Sequence, residues 1–221
     1  MMLPLKYWYV FTSETLGDAV KQLNAVENVT PATPYEIIER MNAVLTLSLQ
    51  YKRELERTSF KETVVVANKK YSFVDPSKAP IGWLADFSMI DKNKPEYLCA
   101  MLYYPDGVKY GTVDQYGNIL YPMGERAELF KEHFPLAYFT HALGRFARAM
   151  ESIAEYTRTH KAVTGKDATW DEVFYALAKF YNMGFFDVMD INIRTFYHLV
   201  RLANAVVERE NERYRKARQG T

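Results

Sequence analysis

The chain has 221 residues, 48% of them hydrophobic and 25% charged, with a formal net charge of +1. That is ordinary globular composition, long enough to bury a core, and it lacks the broad basic field of a nucleic-acid binder. One cysteine, Cys99, excludes an internal disulfide framework and a multi-cysteine zinc site. Aromatic residues are plentiful: seventeen Tyr and thirteen Phe suit cores and interfaces alike.

The opening "MMLPLKYWYVFTSETLGDAV" has a short apolar stretch broken by Lys6, so it fits neither a signal peptide nor a membrane span. The expectation is a soluble chain of the cytoplasm. "SETLGDAVKQLNAV" holds a short helix weakened by Gly17. "TPYEIIERMNAVLTLSLQYKRELER" is the first strong element. Thr33 is its N-cap, Pro34 its first residue and Glu36 the capping-box partner. Ile37, Met41, Val44, Leu45 and Leu49 recur at helical spacing, and the helix ends near Arg57.

"TVVVANKKYSFV" reads as a β-hairpin around a polar link from Asn68 to Lys70. "APIGWLADFSMI" places Trp83, Leu84, Phe87 and Ile90 at helical spacing. "KPEYLCAMLYYP" is a short buried segment whose periodicity fits helix or strand, with Cys99 as an inert buried thiol. "DGVKYGTVDQYGNILYP" is an irregular loop or a second small hairpin. Its Gly107, Gly111 and Gly117 lack phosphate-loop spacing and suit turns.

The remainder is helical. "ERAELFKEHF" runs into Pro135, and a long amphipathic helix follows with Phe139, Leu143, Phe146, Met150 and Ile153 on one side. Gly165 marks a loop. Thr169 and Glu172 form a second capping box, Gly184 is a candidate helix C′ residue, and Asp190 a candidate cap for the last helix. That helix carries Phe196, Leu199, Val200, Ala203, Val206 and Val207, and beyond Val207 only Tyr214 continues the stripe. The fold class is α+β and predominantly helical: amphipathic helices with one or two small β-hairpins, in a single domain over 1–221 with a C-terminal helix extension at 208–221 that is either solvent-exposed or bound to a partner.

No residue pattern marks a catalytic, cofactor or metal site. His133, His141, His160 and His198 show no paired ligand spacing. Asp86 and Asp91, and Asp187 and Asp190, are loosely spaced carboxylates. In the C-terminal segment the order is acidic then basic, favourable along a helix, and Glu212 reaches Lys216 at i+4. Arg213, Arg215, Lys216 and Arg218 can touch phosphates, but Glu208, Glu210 and Glu212 precede them, so a solvated helix end is favoured over nucleic-acid binding.

Two stretches together resemble tailed-bacteriophage morphogenesis proteins. One is "VVVANKKYSFVDPSKAPIGWLADFSMIDKNKPEYLCAMLYYPDGVKY", a hairpin, a Gly-Trp helix and a buried segment ending in "LYYP". The other, "WDEVFYALAKFYNMGFFDVMDINIRTFYHLVRLANAVVEREN", is similar to the helical end of phage tail-assembly chaperones. The resemblance implies a non-enzymatic virion assembly or structural protein. Its partners would be other phage structural or tail proteins and further copies of itself, with no membrane and no cofactor. It would act in the host cytoplasm during assembly, or in the virion. Phe185, Phe186, Phe196, Tyr197 and Tyr214 are the expected contact residues, with Trp83 and Trp170 assigned to the core. The alternatives are a small enzyme with a dispersed site near Asp86, Asp91 and His141, or a nucleic-acid-associated virion protein using the C-terminal basic residues.

Overall fold

The computed structural model describes residues 2–158 and 169–219. His160 and Gly165 lie outside them. The chain is predominantly helical, with a small three-stranded antiparallel sheet, as the α+β reading expected. No helix among the described residues is long and apolar enough to cross a membrane. Contacts gather into two compact units: the chain up to Val74 with Ile90–Arg145, and Asp75–Met89 with the chain from Phe146 onward.

In the first unit a 3-10 turn (Leu5–Tyr7) leads into α1 (Trp8–Phe11), then α2 (Leu16–Glu27) and α3 (Pro34–Arg57). Thr15 caps α2 by accepting from the Asp18 N–H. Thr33 and Glu36 form the expected reciprocal capping box on α3, with Pro34 inside the first turn. α2 and α3 pack through Val20, Leu23 and Val44, flanked by Met41 and Leu47. The Arg40 Nε donates to Asn24 at 2.7 Å, and its Nη2 lies 2.6 Å from a Glu27 oxygen, a close ion pair rather than an aligned hydrogen bond.

β1 (Thr63–Val66) and β2 (Lys69–Phe73) form the hairpin, in register Val64 to Tyr71. The link differs from the expected one. Ala67 and Asn68 both hold positive φ, 46° and 62°, as a two-residue turn of the right hand for a hairpin requires. Lys69 and Lys70 therefore lie in the strand. The ambiguous segment resolves into both alternatives: α5 (Pro95–Leu102) passes directly into β3 (Tyr103–Pro105), which pairs with β2. α6 (Met123–His133) and the first part of α7 (Leu136–Arg158) complete the unit. The N-terminal segment is tied to their junction: Leu5 N–H donates to the Phe134 carbonyl and Leu136 N–H to that of Leu3. Phe130, Phe134, Tyr71 and Tyr103 form a ring cluster beside them.

In the second unit α4 (Ile81–Met89) carries Trp83, stacked on Phe87 at 5.4 Å and near Phe146. α8 (Trp170–Tyr181), α9 (Phe185–Met189) and α10 (Ile193–Gln219) follow. The Thr169–Glu172 capping box opens α8 as expected. Two cap assignments are corrected. α8 ends on Asn182, at φ 52°, while Gly184 is extended and starts α9. Asp190 closes α9, and Asn192 caps α10 by accepting from the Thr195 N–H at 3.0 Å. Asparagine tolerates the left-handed region and offers a side-chain acceptor, so it takes both roles.

Candidate protein interface

α3 differs most from its sequence reading. Val44 is buried and Met41 half-buried, but Ile37, Leu45 and Leu49 are exposed. The apolar residues of this helix cover two faces. The inner face meets α2 and α1, where Tyr51 stacks on Phe11 at 4.6 Å and its hydroxyl shares a 2.6 Å hydrogen bond with Thr140. The outer face carries Tyr35, Ile38, Leu45 and Leu49, each 54–69% exposed. Such a run of large apolar side chains along one open face is a candidate docking surface, whereas single exposed ones are ordinary.

The second unit offers another apolar surface. α8 and α10 enclose a groove of about 200 Å³ lined by Val173, Ala176, Phe180, Val200, Ala203 and Val207. Along α10, Val200 and Ala203 are buried, then Val206 and Val207 open to solvent. From Val206 to Arg218 every residue is exposed and the backbone is helical. Arg213, Arg215, Lys216 and Arg218 sit on it among Glu208, Glu210 and Glu212.

The expected contact residues divide. Phe186 is 78% and Tyr214 71% exposed, and both are open to a partner. Phe185 and Tyr197 are half-buried, and burial raises the Tyr197 hydroxyl pKa. Phe196 is a correction: it is 1% exposed and packs edge-on against Phe174 at 5.8 Å, so it belongs to the core. Trp83 is fully buried; Trp170 is half-buried, its indole N–H donating to Ser88 at 3.0 Å.

The residues of the dispersed-enzyme reading have local partners. His141 Nε2 lies 3.1 Å from the Thr58 hydroxyl, and Asp91 accepts from the Asn93 N–H in a tight turn. Asp86 lies on the exposed side of α4, in the other unit from Asp91 and His141. Asp187 accepts from the Gly184 N–H at the start of α9, and Asp190 is that helix's C-cap. His198 Nδ1 lies 3.0 Å from an Arg201 nitrogen, and His133 is exposed at the end of α6. Among the described residues no group of three or more His, Cys, Asp or Glu is arranged to hold a metal ion. Cys99 is fully buried, and burial pushes its thiol pKa well up, which keeps it protonated and unreactive.

One buried charge had no signal in the sequence. Arg126, on α6, is 5% exposed. Its guanidinium donates to the carbonyls of Tyr121 and Ala100 and stacks 4.6 Å from the centre of the Tyr104 ring. Tyr110 and Tyr121 pack on Tyr104 from the same side of the chain, the glycine-containing loop. Burial lowers the Arg126 pKa, while the surrounding tyrosines oppose that shift. The arrangement ties residues 106–122 to α5 and α6, a structural use of arginine.

Comparison with known protein families, curated proteins and solved structures gave no match to this chain.

Proposed function

We propose that this protein is a non-enzymatic assembly or structural protein of a tailed bacteriophage that works by presenting apolar helix faces to other proteins. The observation that carries the interaction reading is the outer face of α3, where Tyr35, Ile38, Leu45 and Leu49 stand in water on a helix whose other side is already packed. Leaving large aliphatic side chains exposed forgoes about 1.5–3 kcal/mol each relative to full burial. A binding partner recovers part of that. The exposed Phe186 and Tyr214 extend the argument to the second unit. The phage setting rests on the resemblance of segments 64–110 and 170–211 to morphogenesis proteins.

The test follows a tagged copy in the cells its gene comes from, during virion production, through gradient-purified particles and their precursors. Association with either is expected, together with weaker association for Ile38→Asp. A chain that keeps away from particles and precursors throughout sinks the phage assignment. Equal association of the wild type and Ile38→Asp sinks the role of the α3 face.

A further inference from the structure

The outer face of α3 has a regular order. Tyr35, Ile38, Asn42, Leu45, Leu49 and Lys52 succeed one another at alternating steps of three and four residues, all exposed. That is the seam of a coiled coil, with Tyr35, Asn42 and Leu49 at a positions and Ile38, Leu45 and Lys52 at d positions. It runs about 26 Å at 1.5 Å per residue. We propose that this seam binds the same seam of a second copy of the chain, antiparallel, about a two-fold axis level with Ala43 and Val44. The proposal rests on the reading of α3 as an interaction face and names its partner.

The pattern is self-complementary in that one register. Antiparallel coiled coils set a residues against d residues. With the axis between Ala43 and Val44, Ile38 meets Leu49 of the second copy and Asn42 meets Leu45. Tyr35 meets Lys52, whose methylene stem covers the ring while its ammonium reaches the ring face or water. Symmetry repeats each contact, as an isologous interface demands, and the arrangement closes at two copies. A one-heptad slip would leave Ile38 or Leu49 without its apolar partner. Asn42 is a polar seam residue that faces Leu45 in this register, so its amide stays hydrated and lowers the stability of the pair.

Charge selects the same direction. The exposed charges of the first half of α3 include Glu36 and Glu39; those near its end are Lys52, Arg53 and Arg57 against Glu56. Antiparallel pairing lays the acidic end over the basic end, whereas parallel pairing stacks like on like. The contrast with the end of α10 is instructive. That end also carries separated acidic and basic blocks, but has only Tyr214 as a large apolar residue beyond Val207, too little to hold two helices together.

The experiment uses the full chain in sedimentation velocity and light scattering across the micromolar range. The expected wild-type mass is twice that of the chain. Leu45→Asp should halve it and keep the helix content, because Leu45 makes no part of the chain's own buried core, while its melting should lose only the concentration-dependent part that pairing adds. Orientation is read by oxidative cross-linking of single-cysteine additions, the native Cys99 being fully buried. A mixture of Ile38→Cys and Leu49→Cys chains should cross-link as a heterodimer, while Leu49→Cys alone should not. A wild-type monomer, a dimer indifferent to Leu45→Asp, or efficient self-cross-linking of Leu49→Cys would each overturn the proposal. A monomer that still associates with particles removes only the second copy as partner. A monomer that associates with none removes the interaction reading as well.

Discussion

Replacing Phe196 with alanine separates core from contact surface. The ring is 1% exposed and meets Phe174 at 5.8 Å, Trp170 at 6.3 Å and Tyr197 at 5.4 Å. Truncating a buried phenylalanine costs about 3–5 kcal/mol. Each lost edge-on ring contact adds about 0.5–1.5 kcal/mol to simple burial, which places this site near the upper end of that range. At a urea dependence of about 2 kcal/mol per molar, a loss of 4 kcal/mol lowers the midpoint by about 2 M. The shift should appear in the unfolding of the second unit, followed by far-ultraviolet circular dichroism. Phe186→Ala is the control: the ring is 78% exposed, with Phe185 beside it at 5.7 Å, so its cost should stay under about 1 kcal/mol. If the two variants lose similar stability, the assignment of Phe196 to the core is wrong. A Phe196→Ala chain that fails to bind a partner reports on folding and says nothing about an interface.

Arg126→Met keeps the bulk but leaves the Ala100 and Tyr121 carbonyls without their donor. Each stranded acceptor costs about 1–3 kcal/mol, and amide exchange should quicken across residues 106–122; protection equal to wild type would refute the tie. Thr33→Ala removes the cap of α3 and should cost about 1 kcal/mol, read as a lowered urea midpoint; Thr33→Asp should restore it. Asp18, Glu36, Asp106, Asp114 and Glu172 all have folded pKa values below the ordinary carboxylate range, held there by hydrogen bonds first of all. Their stabilisation is therefore complete above the unfolded carboxylate range, near pH 4, and is lost as pH falls through the lower folded values. A melting temperature that does not fall between pH 5 and pH 2.5 would contradict this. Gly82→Val drives side-chain atoms into Met189, whose Cβ and carbonyl oxygen already lie 3.3 Å from the position of an added Cβ. It should destabilise by about 1–3 kcal/mol, and a neutral result would show that α9 can move away.

Local chemistry carried most of what the sequence foretold. The two capping boxes depend on residues three apart, and both appear as read. The hairpin was legible from its alternating strands, but its turn fell on Ala67 and Asn68, one place earlier than composition suggested. Gly184 and Asp190 lost their assigned roles to Asn182 and Asn192 because several good candidates stood within a few residues. Residue type ranks candidates without choosing among neighbours. The passage from α5 to β3 at Leu102 and Tyr103 was hidden because both sides of the change are fully buried, and a continuous apolar run has no period to read. Arg126 had no local signal: its partners are carbonyls and rings brought to it by the loop and α5.

Phe196, expected at a contact surface, was misplaced for a different reason. Apolar periodicity identifies side chains that gain by leaving water; it does not say which protein they leave it for. Phe196 and Leu45 are both large apolar residues at helical spacing in amphipathic segments. Phe196 faces α8 and is buried, while Leu45 faces solvent. On α3 the apolar positions extend around too much of the helix for one packed face. Met41, Val44 and Leu47 suffice for α2, which leaves Tyr35, Ile38, Leu45 and Leu49 in excess. A helix with more apolar circumference than its own domain can cover either loses stability in water or finds a second surface. In sequence that excess is visible as two interleaved stripes on one helix, and only the packing shows which of them the protein keeps for itself.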